Sequence, residues 1–159
     1  MTTEPEPTWL TPAAHRKLQA EYDELTGEGR RRIEERIAEA RSHGDIRENA
    51  DYDAAKTEQG LMEARIRKLR HMLDTAEVRE AADSGIVEVG SVATVRDEHG
   101  ETQFFVATPE NKVPGLLLAS PSGPLGRALL GASAGDVVSY EAPGGTFTYE
   151  VVDVRPYEG

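Results

Sequence analysis

The chain has 159 residues, of which 30% are charged, with a formal net charge of −11 and no cysteine. This length suits one ordinary domain or two small ones, and the lack of cysteine excludes disulfides and thiolate metal sites. No apolar run is long enough to cross a membrane, and the first residues lack the pattern of a signal peptide. We therefore expect a cytoplasmic protein with no membrane partner.

The charge is distributed unevenly along the chain. Residues 8–80 carry 14 basic and 16 acidic side chains, a net of −2, whereas residues 81–159 carry 4 and 11, a net of −7. Such an acidic balance argues against general nucleic-acid binding through neutralised phosphates. Only the first half of the chain is able to present a local basic surface.

Residues 1–10 are interpreted as a flexible tail, and a long helix is predicted from Thr11-Pro12 to about His43. Threonine caps helices well, and proline is favoured at the first helical position. Apolar residues recur at helical spacing in this segment: Leu18, Tyr22, Leu25, Ile33, Ile37 and Ala40. Gly27 and Gly29 interrupt the pattern, so either the helix bends there or its partner packs closely enough to require small residues.

A second helix is predicted from an apolar series that alternates steps of three and four residues. Its members are Tyr52, Ala55, Gln59, Met62, Ile66, Leu69, Leu73 and Ala76. Two such stripes joined by a tight turn predict an antiparallel coiled-coil hairpin over residues 11–80, with arms of about 40–48 Å at 1.5 Å per residue. So thin a hairpin buries little apolar core, and we infer that its length serves to hold the tip far from any globular part of the protein.

The tip of this hairpin is predicted at residues 43–49. Gly44 suits the end of the first helix because it accepts a positive φ, and Asp45 and Glu48 have the D-x-x-E spacing of a helix-capping box. The same two carboxylates are expected on one side of the turn, near enough to share one cation. From the residues alone, capping is the commoner role for such a pair, and both roles can coexist.

Residues 81–85 are predicted to be a linker, after which the periodicity changes from helical to alternating. Six strands are predicted, separated by glycine, proline and asparagine: Ile86–Val89, Ser91–Arg96, Thr102–Ala107, Leu116–Ala119, Asp136–Glu141 and Thr146–Arg155. A short helix at Pro124–Leu130 and a hairpin turn at Gly144-Gly145 complete a compact α+β domain over residues 86–159. The four histidines are scattered, so no zinc site is assigned.

The tip sequence resembles the signature of the bacterial GreA/GreB transcript-cleavage factors. The matching segment runs from Ala38 to Lys56 and includes Gly44-Asp45, Glu48-Asn49-Ala50-Asp51-Tyr52 and Ala54-Ala55. The opening Leu10-Thr11 and the run Pro124-Leu125-Gly126-Arg127-Ala128-Leu129-Leu130-Gly131 are similar to that family too. The resemblance implies a fold with an N-terminal coiled-coil hairpin and a C-terminal FKBP-like sheet domain.

The resemblance also implies a function. Factors of this family bind RNA polymerase beside its secondary channel and insert the hairpin, and the polymerase then hydrolyses backtracked RNA. The tip acids, here Asp45 and Glu48, would help to hold a second Mg²⁺ in the polymerase site. Such a protein is an activator rather than an enzyme, it has no cofactor of its own when free, and we expect a monomer. One or two carboxylates suffice for Mg²⁺ only where a partner completes its coordination.

Further contacts follow from the same resemblance. The family's basic patch corresponds to Arg41 and Lys56, near the 3′ end of the extruded RNA, and Arg47 is added on charge and location. Asn49 and Tyr52 are grouped with them as candidate RNA or polymerase contacts, although Tyr52 also fits the start of the helical seam. In the second half, the surface predicted to dock on the rim of the polymerase channel contains Ser122, Pro124, Leu125 and Arg127.

Other interpretations remain open at this level. The chain could be a regulator of the same fold that occupies the channel without stimulating cleavage, since Gly27 and Gly29 depart from the usual pattern. It could instead be a coiled-coil adaptor with a peptide-binding domain, which predicts no polymerase binding. The run Arg30-Arg31-Arg32 favours a solvated face over RNA contact. A free-standing nuclease is disfavoured, because one acidic pair cannot hold two metals.

Overall fold

The structure, a computed structural model, describes residues 7–42 and 46–158, with residues 46–49 described in their backbone only. Two compact units are present. The helical unit is Arg16–Thr75, and the sheet unit combines the described residues up to His15 with those from Ala76 onward. Within the described ranges, no helix is both long and apolar enough to traverse a bilayer.

Three helices and one irregular turn build the hairpin region. They are α1 (Pro12–Glu24), a single π-helical turn (Leu25–Gly29), α2 (Arg30–Ser42) and α3 (Ile46–Thr75). The predicted start is confirmed, because the Ala14 N–H donates to Thr11 Oγ1 at 3.0 Å and Pro12 is the first helical residue. At 1.5 Å per residue, the 30 residues of α3 extend about 45 Å.

The apolar stripes of the helical unit are buried as a coiled coil requires. In α2 the stripe is Ile33, Ile37 and Ala40, and in α3 it includes Ala55, Ile66 and Leu69. Tyr52, Gln59, Met62 and Leu73 are half-buried. Met72 is buried as well, although the series predicted Leu73 at this level.

Bidentate ion pairs join the two arms across the seam. Arg30 Nε and Nη2 donate to the Glu63 carboxylate at 2.8 and 2.9 Å. Arg65 Nε and Nη2 donate to Glu21 at 2.7 and 2.8 Å. Each pair lowers the pKa of its glutamate, chiefly through these hydrogen bonds. The pairs fix the register of the arms, since a guanidinium fork fits a carboxylate in one orientation.

The sheet unit contains a five-stranded sheet in the order β5-β4-β3-β7-β6 and a separate parallel pair, β1-β2. The strand bounds are β1 Trp9–Leu10, β2 Glu77–Val78, β3 Ser91–Asp97, β4 Gly100–Val106, β5 Leu117–Ala119, β6 Val137–Ala142 and β7 Gly145–Pro156. Neighbours are antiparallel except β4 and β5, which are parallel. A short helix, α4 (Pro124–Leu129), lies against β6.

Alternation along β3 and β4 sends side chains to both faces of the sheet, and each face is buried. One cluster lies on the α4 side: Val87, Ala93, Val95, Val106, Ala119, Leu129, Ala132 and Val151. The other cluster consists of Trp9, Val92, Phe105 and Ala107. Phe105 stacks on Tyr157 with centroids 4.5 Å apart and meets Trp9 edge-on at 6.1 Å.

The fold class predicted from the sequence is confirmed, and three details differ. The predicted loose tail reached residue 10, but Trp9 and Leu10 form a buried strand. Asn111 anchors this strand, because its Nδ2 donates to the Trp9 carbonyl and its Oδ1 accepts from the Thr11 N–H, both at 2.9 Å.

The second and third differences concern strands. Ile86–Val89 is not a strand; Ile86 makes one isolated bridge to Ser133, and Gly90, at a φ of 103°, turns the chain before β3. The predicted helical hairpin extended to residue 80, whereas Glu77–Val78 pairs with β1. The other five strands, α4 and the Gly144-Gly145 turn agree with the prediction to within two residues.

Candidate functional site: the tip end of the hairpin

The structure describes the two predicted tip acids, Asp45 and Glu48, to different extents. Asp45, with His43 and Gly44, lies outside the described residues. Glu48 belongs to the first turn of α3, together with Arg47 and Asn49, and only their backbone is described. The capping and metal roles of the acidic pair therefore stay predictions. In the part of the chain whose side chains are described, no group of three or more His, Asp or Glu is arranged to hold a metal ion.

Arg41 and Tyr52 meet beside the turn, from opposite arms. The Arg41 guanidinium carbon lies 5.5 Å from the centre of the Tyr52 ring, and Arg41 Nη2 donates to Tyr52 Oη at 3.4 Å. The hydrogen bond and charge of Arg41 lower the pKa of the Tyr52 hydroxyl. A cation over an aromatic face stabilises the pair weakly at an exposed site, so Arg41 keeps donors for another partner.

Arg41 also lines a shallow groove with a volume of about 480 Å³, which we call the tip groove. Its other lining residues are Glu34, Ile37, Ala38, Lys56 and Gln59. Lys56 Nζ donates to Gln59 Oε1 at 2.9 Å. Two exposed cations from different helices thus border one concave surface, which is suited to an anionic strand. The structure brings together three of the five predicted RNA or polymerase contacts: Arg41, Tyr52 and Lys56.

The basic run Arg30-Arg31-Arg32 has acidic partners on every member. Arg30 binds Glu63 across the seam, Arg31 binds Glu28 and Glu35 on its own arm, and Arg32 pairs with Glu24. These pairs offset the charge of the run, and their exposed position makes each one weak. The arrangement agrees with the solvated face that the sequence favoured, and among the side chains that the structure describes the basic groups lining the tip groove are Arg41 and Lys56.

The segment predicted to dock has a defined geometry in the sheet unit. Ser122, Pro124 and Arg127 are exposed, whereas Leu125 is half-buried and packs against the cluster on the α4 side. Gly126 allows α4 to approach the preceding loop, since a Cβ there would lie 1.8 Å from the Ser120 carbonyl oxygen. Ser122 also borders a cavity of about 380 Å³ lined in part by Trp9, Arg79 and Pro121.

Sequence reasoning missed a row of aromatic rings on the same sheet face as α4. Phe147 and Tyr149 on β7 stack with Tyr140 on β6 at 5.5 and 6.1 Å, and Phe104 meets Tyr149 edge-on at 6.1 Å. Phe147 is 41% exposed. The sequence did contain a pattern that indicates this row, because aromatic residues at alternate positions of paired strands share one face of the sheet.

The fold is that of a two-unit protein, with a coiled-coil hairpin that carries two basic groups near its tip end and a curled sheet that carries a short helix. Residues 8–78 match the N-terminal domain family of transcription elongation factors, and residues 82–156 match the C-terminal GreA/GreB domain family. Transcription elongation factor GreA of Saccharopolyspora erythraea is 45% identical over 99% of both chains. The GreA factor of Streptomyces coelicolor is 41% identical over 96% of this chain and 95% of its own.

Among solved structures, the GreA factor homolog 1 (Gfh1) protein of Thermus thermophilus is similar, with a TM-score of 0.45 and 27% identity over 94% of this chain and 99% of its own. The family assignment does not depend on that structure, because both domain families and the full-length sequence relatives agree. The chain belongs to the GreA/GreB family of transcription elongation factors.

Proposed function

We propose that this protein is a transcript-cleavage factor that inserts the tip of its hairpin into the secondary channel of RNA polymerase and stimulates cleavage of backtracked RNA. The observation that carries the proposal is the membership of the GreA/GreB family over both domains, with an intact Gly44-Asp45-x-x-Glu48-Asn49 turn. The protein is an activator in this reaction, and the polymerase performs the chemistry.

The dimensions and packing of the hairpin support insertion. An antiparallel pair of helices about 45 Å long places its turn far from the opposite end of the helical unit. The two bidentate pairs across the seam and the buried apolar stripe hold the described parts of the arms in one register, and we expect this register to orient the turn that joins them. A fixed orientation matters because misplacement by about 1 Å can cost 100-fold in rate.

The acids of the turn provide the activating groups in this proposal. Asp45 and Glu48 would contribute carboxylate oxygens to the Mg²⁺ of the polymerase, which activates water against the scissile phosphate. Their three-residue spacing at the start of a helix is expected to bring both carboxylates to one side of the turn, and the positive end of a helix favours two negative groups there. The free protein is expected to bind the ion weakly, because two carboxylates leave most of its coordination to water.

The tip groove supplies a surface for the extruded 3′ RNA. Arg41 and Lys56 contribute positive charge from the two facing arms, and Tyr52 offers an aromatic face beside them. Phosphates would contact the cations, and an unpaired base would stack on the ring. In the sheet unit, Ser122, Pro124 and Arg127, together with the exposed ring of Phe147, would provide the polar and apolar contacts that dock the factor at the channel rim.

The decisive experiment uses stalled, backtracked elongation complexes and detects short 3′ RNA fragments. The full-length protein should accelerate their release, while Asp45→Asn and Glu48→Gln should abolish the acceleration without changing the helical signal. Asp53→Asn is the matched control, because Asp53 is an exposed acid farther along α3 and should keep full activity. Undiminished stimulation by both tip variants would refute the role of the acids.

A second experiment tests the tip groove. Arg41→Ala and Lys56→Ala should each weaken binding to backtracked complexes and reduce its salt dependence, because each removes one cation near phosphate. Arg31→Ala is the control, since Arg31 is already paired with Glu28 and Glu35. If all three variants bind equally, the groove does not contact the RNA.

The same assays decide the alternative, a regulator of this fold that occupies the channel without stimulating cleavage. Such a protein would bind backtracked complexes and release no fragments. A coiled-coil adaptor of another pathway would not bind the polymerase at all.

A further inference from the structure

The first arm of the hairpin contains a single π-helical turn, Leu25–Gly29, between α1 and α2. The Arg30 N–H reaches back to the Leu25 carbonyl, five residues earlier, and the Thr26 hydroxyl donates to the Tyr22 carbonyl at 2.8 Å. Such turns occur chiefly as one-residue expansions of α-helices. The facing helix α3 continues through the same level without interruption.

The spacing of the apolar stripe explains why the expansion occurs here. On either side of the turn the stripe follows steps of four and three residues: Leu18, Tyr22, Leu25, and then Ile33, Ile37, Ala40. From Leu25 to Ile33 there are eight residues, one more than the seven of a regular repeat. In an unbroken α-helix eight residues turn through about 800°, so the distal stripe would lie about 80° away from the proximal one.

No such rotation is present. Leu18 before the turn and Ile33, Ile37 and Ala40 after it are all buried. The bidentate pairs Glu21–Arg65 and Arg30–Glu63 tie the arm to α3 on both sides of the turn. The π turn therefore absorbs the extra residue, and the two stripes stay in phase.

The two glycines of the turn have different surroundings. A Cβ on Gly29 would lie 3.3 Å from the Glu24 carbonyl oxygen and 3.4 Å from Met62 Sδ, so the arms approach closely at this point. A Cβ on Gly27 would meet nothing within 4 Å. Gly29 is thus part of the seam, while Gly27 lies on the outer side of the expanded turn and has no packing role.

We propose that the π turn is a positioning element that accommodates one extra residue and keeps the distal part of the arm, as far as Arg41, in rotational phase with its base. This inference rests on the proposed function. In that function, the rotational phase of the arm would set the direction in which the tip groove and the tip acids face the polymerase. If the π turn accommodates an extra residue, Gly27 can be removed without rotating the apolar stripe. Removal of a residue from an uninterrupted helix would rotate the stripe.

The test compares two single-residue deletions in the full-length protein. Deletion of Gly27 makes the step from Leu25 to Ile33 seven residues, so the turn should close to an α-helix. We expect an equal or higher melting temperature of the helical signal and stimulation of RNA cleavage within about twofold of the parent. Hydrogen exchange of the Arg30 amide, whose N–H reaches back five residues to the Leu25 carbonyl, should be slower in the deletion variant than in the parent.

Deletion of Ala64 is the matched control. Ala64 is also small and exposed, and it lies in α3 between Met62 and Ile66, where the structure has no expanded turn to close. The distal part of α3 should rotate by about 100°, and stimulation should fall about 100-fold or the hairpin should lose its cooperative melting.

The outcomes separate this inference from the proposed function. A Gly27 deletion that damages melting and cleavage as much as the Ala64 deletion overturns the positioning role. If the parent protein stimulates no cleavage, the proposed function fails, whereas the melting and exchange comparison still decides whether the turn stores a spare residue.

Discussion

The helical unit and the sheet unit are stabilised in different ways. The sheet unit buries two clusters, one on each face, with Phe105, Val95 and Val106 inaccessible to solvent. The helical unit buries one narrow stripe and adds charged pairs between its arms. The stability of the sheet unit therefore depends on how completely its core is filled, whereas the stability of the helical unit depends on the rotational phase and register of its two arms. The stability of the arm should therefore be more sensitive to an inserted or deleted residue than to a substitution on its outer surface.

The largest expected effect is in the sheet unit. Phe105→Ala should lower the free energy of unfolding by about 3–5 kcal/mol, because it leaves a cavity between Trp9 and Tyr157. The fluorescence of Trp9, the single tryptophan of the chain, reports this unit in a denaturant titration. Phe147→Ala is the control, with an expected loss of about 1 kcal/mol since Phe147 is partly exposed. Equal losses would contradict the assignment of the core.

In the helical unit, the corresponding change is Leu69→Ala. Leu69 is fully buried in α3, and its truncation should cost about 2–5 kcal/mol, measured through the far-ultraviolet helical signal. Leu61 on the same helix is 70% exposed, and Leu61→Ala should change stability by no more than about 0.5 kcal/mol. If the two variants melt alike, the stripe does not stabilise the arm as described.

A smaller loss is expected from the polar anchor of β1. Asn111→Ala should cost about 1–3 kcal/mol, because the Thr11 N–H and the Trp9 carbonyl would lose their buried partner. Asn111→Asp keeps an acceptor for Thr11 but cannot donate to Trp9, so its effect should differ from that of Asn111→Ala. Amide exchange at Thr11 measures the difference. Unchanged protection in both variants would show that other contacts hold β1.

The smallest effect concerns pH and the pairs across the seam. The pKa values of Glu21 and Glu63 lie below their ordinary value of 4.5 in the folded protein, chiefly because of hydrogen bonds from Arg65 and Arg30. A lowered folded pKa gives stability that is present above 4.5 and is lost as the pH falls through the folded value. The helical melting temperature should therefore decline below pH 4.5.

Glu63→Gln provides the control for that pH dependence. The variant should be slightly less stable at neutral pH and should decline less steeply with acid, since one of the two titrating pairs is gone. An identical decline in the parent and the variant would mean that other carboxylates control acid unfolding. The effect stays modest because both pairs are partly exposed and screened by solvent.

Much of the candidate site followed from the sequence, and specific parts did not. The periodic stripes located α3 and placed Arg41, Tyr52 and Lys56 near the same end of the hairpin. Only coordinates show that Arg41 lies over the Tyr52 ring and shares a groove with Lys56, because those contacts join opposite arms. The aromatic row of β6 and β7 depends on which strands are neighbours, and a strand pattern alone does not state its partners.

Strong local signals made several elements predictable from the residues alone: the capped start at Thr11-Pro12, the heptad spacing of α3, the turn after β6 and the family signature at the tip. Tertiary structure decided what depends on distant partners. Asn111 draws Trp9 and Leu10 into the sheet unit across about a hundred residues of chain. The spare residue near Gly27 is absorbed as a π turn because α3 and its charged pairs hold both stripes in phase. Local propensity acts over a few residues, whereas burial and register are fixed only when separate segments pack together.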